Sequence, residues 1–316
     1  MRHNKHSLLI ALIGILFVLS STGFMEFNNK TKSANMQYLE PIKTAESIPL
    51  IEINGNSELA SHPNVTGSGT WADPYVIEDY EITGSGPGIG ININNTDKPL
   101  IIQNCRVENF SKGIYIYNVS NVEMDNNTAS DNGVGIELYY SDNNTLTINT
   151  ALNNTNYGIW LYSSGNNTLI GNTVLDNDNS GIYLESSYNN TLTGNTASNN
   201  HDNGIYLSYS DNNTLTGNTA SNNHNNGIYL SYSHNNMLTG NTVSNNWNGI
   251  DLSYSANNML TGNTASFNGN GIVLWDSESN EIFNNIMISC GIWVQGNLAG
   301  LLSNKINQSN IVNGKP

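Results

Sequence analysis

Ten Gly-Ile pairs punctuate the chain, at Gly90, Gly113, Gly135, Gly158, Gly181, Gly204, Gly227, Gly249, Gly271 and Gly291, spaced 20–23 residues apart. Around them whole phrases recur: "NNHDNGIYLSYSDNNTLTGNTASNN" begins at Asn199 and is nearly repeated from Asn222. Self-similarity at a fixed short period means an array of small units, each touching only its neighbours and none able to bury a core alone.

Apolar residues keep fixed places within the unit. An Ile follows every marker glycine, and a second aliphatic lies two residues on, from Ile93 through Leu184 to Val294. A third row runs Ile101, Met124, Leu146, Leu169, Leu192, Leu215, Leu238, Leu260, Ile282, and a smaller fourth row runs Ala129, Ala151, Val174, Ala197, Ala220, Val243, Ala265, Met287. Between them lie period-two alternations such as I-Y-L and turns of Asn, Gly, Ser and Asp, which read as three short strands per unit. No helical period appears, and the L-x-x-L-x-L spacing of leucine-rich repeats is absent. The expectation is an all-β parallel β-helix of about nine to ten coils of 22–23 residues, a rod about 45 Å long at the spacing of parallel strands.

Asn104, Asn127, Asn149, Asn172, Asn195, Asn218, Asn241, Asn263 and Asn285 all stand fourteen residues after their marker. This row predicts an asparagine ladder at one corner, each amide bonding to its copies above and below in a turn that needs left-handed backbone.

The predicted organisation is a signal peptide over 1–23, a linker over 24–49, an N-terminal lead-in and cap over 50–88, the β-helix over 89–296 and a C-terminal exit segment over 297–316. The signal rests on Arg2 and Lys5 before an apolar run, Leu8–Leu19, too short to span a bilayer, followed by small residues. An uncleaved anchor is the alternative, and would be the one contact with a membrane. Eleven N-x-[ST] sequons (Asn29, Asn64, Asn94, Asn118, Asn126, Asn143, Asn153, Asn166, Asn189, Asn212, Asn307) fit an extracellular glycoprotein, although an Asn/Thr-rich chain generates them by composition. Cys105 and Cys290 fall eight coils apart, about 38 Å, beyond disulfide reach.

The net charge is −15, and no Lys or Arg occurs from Gly113 to Asn304. Nucleic acid is therefore excluded as a partner, since nothing in the coils neutralises phosphate. The same charge suits Ca²⁺ or simple solubility.

Glycosidase chemistry needs two carboxyls about 5 or 6.5–9.5 Å apart. The coil acids are scattered: Glu137 and Asp251 at the second position, Glu185 at the fourth, Asp276 at the fifth, with Asp176, Asp178 and Asp202 in turns. Lyase or epimerase chemistry would need a cation against the substrate carboxylate, which the coils lack, with Tyr or His as the remaining proton acceptors. His201 and His224 share an offset in adjacent turns, with His234, Met237 and Met259 nearby, a thin lead to copper.

The aromatic signal is stronger. Tyr115, Trp160, Tyr183, Tyr206 and Tyr229 occupy the outward position between the two aliphatics. Tyr117, Tyr139 and Tyr162 lie two residues further on, and Tyr209, Tyr232 and Tyr254 form a third row. Such rows serve either as a platform for sugar rings or as rings stacked on one another.

The coils are led by "GSGTWADPYVIEDYEITGSG" and closed by "CGIWVQGN" and "SNIVNGKP". With the GI-x-L…S-x-NN-x-L…N coils, these segments resemble archaeal surface proteins with NosD-type domains, within the carbohydrate-binding and sugar-hydrolase (CASH) β-helices. The resemblance spans roughly Ile51 to Pro316 and implies a right-handed β-helix at the cell surface. The NosD namesake is a periplasmic copper-binding accessory protein, but no copper ligand set carries over residue by residue. The resulting expectation is an exported, non-enzymatic, structural or adhesive protein that binds a polysaccharide or surface glycan along its aromatic face. A polysaccharide-processing enzyme (glycoside hydrolase, lyase or epimerase) and a NosD-like copper-binding accessory are the competing readings.

Overall fold

The Ile-x-Leu phrase after each marker glycine forms the first strand of a coil, because period-two alternation sends its two aliphatics inward and the residue between them outward. In the computed structural model, which describes residues 46–316, a representative coil runs Ile182–Glu185 (face A), Thr191–Thr193 (face B) and Thr196–Ser198 (face C). Each strand pairs in parallel with its copies one coil before and one coil after, in unbroken register. Face B is a separate sheet of eleven strands. Faces A and C are joined near the N-terminal end by two long strands, Tyr80–Asn94 and Arg106–Tyr117, which run through the corner between them. The fold is thus the all-β parallel β-helix the period predicts.

The coils begin before residue 89. Glu46–Ile48 pairs with the long strand on face C and Ile51–Asn54 on face A, so the lead-in segment is itself a coil, carrying the short helix α1 (Asn56–Ser61) between faces A and B. At the other end α2 (Leu298–Ser303) is inserted at the same corner before short strands return to faces B and C. The expected signal peptide, most of the linker and the sequon at Asn29 lie outside the described residues. Among the described residues no helix is long and apolar enough to cross a membrane.

Each coil contributes four inward apolar side chains, such as Ile182, Leu184, Leu192 and Ala197, all fully buried. The marker glycine follows from close approach rather than from φ. A Cβ on Gly204 would sit 2.7 Å from both Asn223 Nδ2 and the Gly227 carbonyl oxygen, so no side chain fits.

Four ladders, not one, hold the corners. In the representative coil they pass through Ser187 and Asn190 between faces A and B, Asn195 between B and C, and Asn200 between C and A, each at most 1% exposed. The pattern is common to all four. The backbone N–H of Asn195 donates to Asn218 Oδ1 at 3.0 Å, and Asn195 Nδ2 donates to the Leu169 carbonyl at 2.9 Å. The Ser187 N–H donates to Ser210 Oγ at 3.0 Å while Ser187 Oγ donates to the Leu161 carbonyl at 3.1 Å. A corner buried between coils has backbone groups that no sheet satisfies, and these side chains supply their partners. The abundance of Asn is thereby accounted for.

Four details depart from the sequence reading. Asn104 is exposed and outside its ladder; Cys105 is the buried residue there, its N–H donating to Asn127 Oδ1 at 3.0 Å. Likewise Ile102, not Ile101, is the core residue in register with Met124. Both shifts have one cause: the turn before this strand, which contains Pro99, is one residue longer than its later copies. The ladder also continues one step further, to Asn310, beyond the α2 insertion. Finally, the left-handed conformation belongs to the residue before each ladder member (Ser186, Asn189, Gly194, Asn199), not to the ladder residue itself.

Candidate functional site

Face A carries the outward row identified in the sequence. In register it reads Tyr115, Glu137, Trp160, Tyr183, Tyr206, Tyr229, Asp251. Four of the five aromatic positions are therefore contiguous, and Tyr115 is cut off from them by Glu137. Trp160 and Tyr183 are stacked at 6.1 Å and 13°, Tyr183 and Tyr206 at 4.8 Å and 14°, Tyr206 and Tyr229 at 4.9 Å and 16°. Rings stacked along the coil axis turn their faces to one another, so what the row offers outward is ring edges and phenol hydroxyls.

The row is also less open than an outward position suggests: Tyr183 is only 8% exposed and Glu137 1%. The cause is a second row, immediately before the marker glycines, whose side chains lie three residues from the first and lean over it. Tyr157 packs on Trp160 and Tyr183, Lys112 on Tyr115, and Asn248 on Asp251. On the other flank Tyr139 and Tyr162 stack at 4.5 Å and 14°, with Tyr117 tilted against Tyr139. The third predicted row, Tyr209, Tyr232 and Tyr254, stacks at 5.1 and 4.9 Å on the exposed corner beyond face A, every member at positive φ.

Burial shifts the acid–base groups here. Desolvation, then the Glu137 charge, raises the Tyr115 phenol to about 12. Tyr183 and Tyr206 are raised, mainly by desolvation. Glu137 is raised by desolvation, with Lys112 opposing. Asp251 is raised to about 6 by desolvation, against hydrogen bonds from Ser253 and Asn248, each 3.0 Å long. The phenols are neutral donors at neutral pH.

One cluster was not legible in the sequence. Lys112, just before the cation-free stretch, reaches Glu137 Oε1 at 2.9 Å and holds its ammonium 3.9 Å from the centre of the Tyr115 ring. Beside it Glu137 Oε2 and Trp160 Nε1, on adjacent coils, are buried without a hydrogen-bond partner among the described residues. Lys112 and Glu137 are 25 residues apart, and the stacking register alone unites them. The two buried carboxyls of the row, Glu137 and Asp251, are five coils or about 24 Å apart at the strand spacing, far outside glycosidase range.

His201 and His224 stack at 5.3 Å with planes 3° apart, beside a shallow groove of about 780 Å³ on the corner between faces C and A. Their in-plane lone pairs run parallel and do not converge on a point, so the stacked pair does not chelate one ion. His234 Nδ1 accepts from the Ala256 N–H at 3.0 Å, while Met237 and Met259 are in register on face B. Among the described residues no group of three or more His, Cys, Asp or Glu side chains is placed to hold a metal. These residues do not fit a copper centre.

Two family models match the chain: "Right handed beta helix region" over residues 64–219 and "Periplasmic copper-binding protein (NosD)" over residues 197–314. No curated protein matches it in sequence. Among solved structures, the periplasmic alginate epimerase AlgG superposes with a TM-score of 0.58 at 20% identity, over 70% of this chain and 60% of that one. The A-module of the mannuronan C-5 epimerase AlgE6 from Azotobacter vinelandii superposes with a TM-score of 0.58 at 14% identity, covering 74% and 84% respectively. At these identities the likeness is one of fold. Parallel strand pairing on three faces, together with the match over residues 64–219, identifies the fold as a right-handed parallel β-helix, and the similarity to NosD is confined to residues 197–314.

Proposed function

We propose that this is an exported protein that binds an extended polysaccharide along face A without transforming it, serving a structural or adhesive role at the cell surface. The observation that carries the reading is the unbroken row Trp160–Tyr183–Tyr206–Tyr229. Its three tyrosines line up the same kind of edge once per coil, over about 10 Å at the strand spacing, with Trp160 stacked at one end. A polymer of repeating sugar units meets a repeating surface, so each unit finds the same partners as the one before. The fold is shared with proteins named for their action on alginate and mannuronan, which supports a polysaccharide as the ligand class.

The sugar is held by phenol hydroxyls and ring edges, because the ring faces are taken by neighbouring rings. The test uses the Tyr183→Ser/Tyr206→Ser double variant on a polysaccharide panel, scored for retention and for new reducing or unsaturated ends. Retention falling about tenfold, as expected for two lost sets of contacts, with no new ends from the parent protein, is the expected result. A variant that binds normally but melts early would make the rings purely structural.

The Lys112–Glu137–Tyr115 cluster favours a second reading, in which face A processes the polysaccharide as a lyase or epimerase. A cation, a phenol and a buried carboxyl of raised pKa stand together there, the kind of grouping found at functional sites. Unsaturated ends or inverted uronate units formed by the parent protein, and lost in Tyr115→Phe, would establish this reading over the first.

A further inference from the structure

We propose a second saccharide site, for a chain bearing amino groups, in the groove at the corner between faces C and A. It rests on the reading of the protein as a glycan binder, but it uses different residues on a different part of the coil. One lip of the groove is built by four successive coils, each giving the residue just after a buried ladder asparagine: Asp178, His201, His224 and Trp247. The facing lip runs from Asp176 to Asn245.

Three features of this groove point to a ligand. Trp247 is 72% exposed, and among the described residues no ring-to-ring contact takes its face, unlike the rings of face A. An indole face open to solvent beside a groove is the surface on which the apolar face of a pyranose, or an ammonium, packs. Second, His224 Nδ1 lies 3.3 Å from Asn225 Oδ1. That oxygen only accepts, so Nδ1 carries a proton and donates to it, which fixes the orientation of the ring beside the groove. Third, the far end carries two exposed carboxylates, Asp176 and Asp178, and there is no Lys or Arg from Gly113 to Asn304 to neutralise them. A uronate chain is repelled, while an ammonium is attracted.

Three coil steps separate Asp178 from Trp247, about 14 Å at the strand spacing, a span suited to a short run of sugar units. The groove thus joins one stacking surface, oriented imidazole edges and an anionic end in a line, which matches an amino-sugar oligomer: ammonium groups toward the Asp end, a ring on Trp247.

The experiment is a calorimetric titration of the full chain with glucosamine hexamer, its N-acetylated counterpart, hexamannuronate and hexalysine. The glucosamine hexamer is expected to bind best and hexamannuronate not at all. Trp247→Ala is expected to weaken the glucosamine hexamer about tenfold, the loss of one stacking contact, and Asp178→Asn to weaken it while leaving the acetylated hexamer unchanged. Tyr183→Ser/Tyr206→Ser should leave this binding intact, which separates the site from face A. Thermal melts matching the parent protein exclude unfolding, which the exposure of Trp247 and Asp178 makes the expected result. Unchanged affinity in Trp247→Ala overturns the proposal. So does hexalysine binding as tightly as the glucosamine hexamer, which would reduce the groove to charge attraction. Loss only in the tyrosine variant would also overturn it, and would leave the face A reading standing.

Discussion

Replacing Asn195 by Ala removes a ladder side chain that is completely buried. Asn195 Oδ1 accepts from both the backbone N–H and the Nδ2 of Asn172, each at 2.9 Å, and Asn195 Nδ2 donates to the Leu169 carbonyl at 2.9 Å. After substitution Asn172 Nδ2 keeps its bond to the Leu146 carbonyl. The Asn172 N–H loses its acceptor, and the Leu169 carbonyl loses this donor. One buried group left unsatisfied costs roughly 1–3 kcal/mol, so the pair should cost about 2–6 kcal/mol. Asn195 is half of a repeating chain of bonds, and the damage stays between neighbouring coils because the array couples only adjacent units. Two controls bracket the result. Thr193→Ala, on the outward side of face B, should change stability by less than about 0.5 kcal/mol. Asn104→Gly should be similarly mild, because Asn104 is exposed, stands outside the ladder and has a φ of 55° that glycine accepts. Urea titration followed by circular dichroism gives the comparison. Equal small shifts for all three variants would refute the ladder account, and a large loss for Asn104→Gly would refute the register that puts Cys105 in its place.

Ile148 stands at φ 55° where neighbouring coils have Asn126 and Gly171; Ile148→Asn should stabilise by about 1 kcal/mol in the same titration, since left-handed backbone costs a β-branched residue roughly 1–2 kcal/mol, and a destabilised variant would show the strain is absent. Asp251 is protonated in the folded state up to about pH 6, against an ordinary value of 3.8. A raised carboxyl pKa means the native state holds more protons than the unfolded state between those values, so stability falls as pH rises through this window. Asp251→Asn should therefore stabilise by about 1–3 kcal/mol at pH 7 and lose that advantage below about pH 4; a pH-independent difference in melts would argue against it. Asn143, Asn166, Asn189 and Asn212 occupy the same left-handed position in successive coils, about 4.8 Å apart, so glycopeptide mass spectrometry of protein from a glycosylating host should find no molecule with two neighbours occupied.

The period, the three strands per coil, the inward rows and the existence of an amide ladder were determined by the sequence, because a repeat array with local contacts repeats its geometry wherever it repeats its residues. Even the three corner rows read past, through Ser187, Asn190 and Asn200, were present as constant spacings in "SYSDNNTLTGNTASNN". They look like ordinary turn composition until the burial of each corner shows that its backbone needs those partners. Register was not legible where a turn changed length: a single added residue before Leu100 moved the core from Ile101 to Ile102 and the ladder from Asn104 to Cys105, since a one-residue slip exchanges the two faces of a strand. The state of the aromatic row was decided only by the tertiary structure. An alternating pattern says which side chains point outward, but not whether an outward ring is open. Stacking at one coil per step brought the rings face to face and laid Tyr157 over them. The same stacking set Lys112 against Glu137 across 25 residues of chain, where distance along the sequence had placed the cation outside the coils it serves.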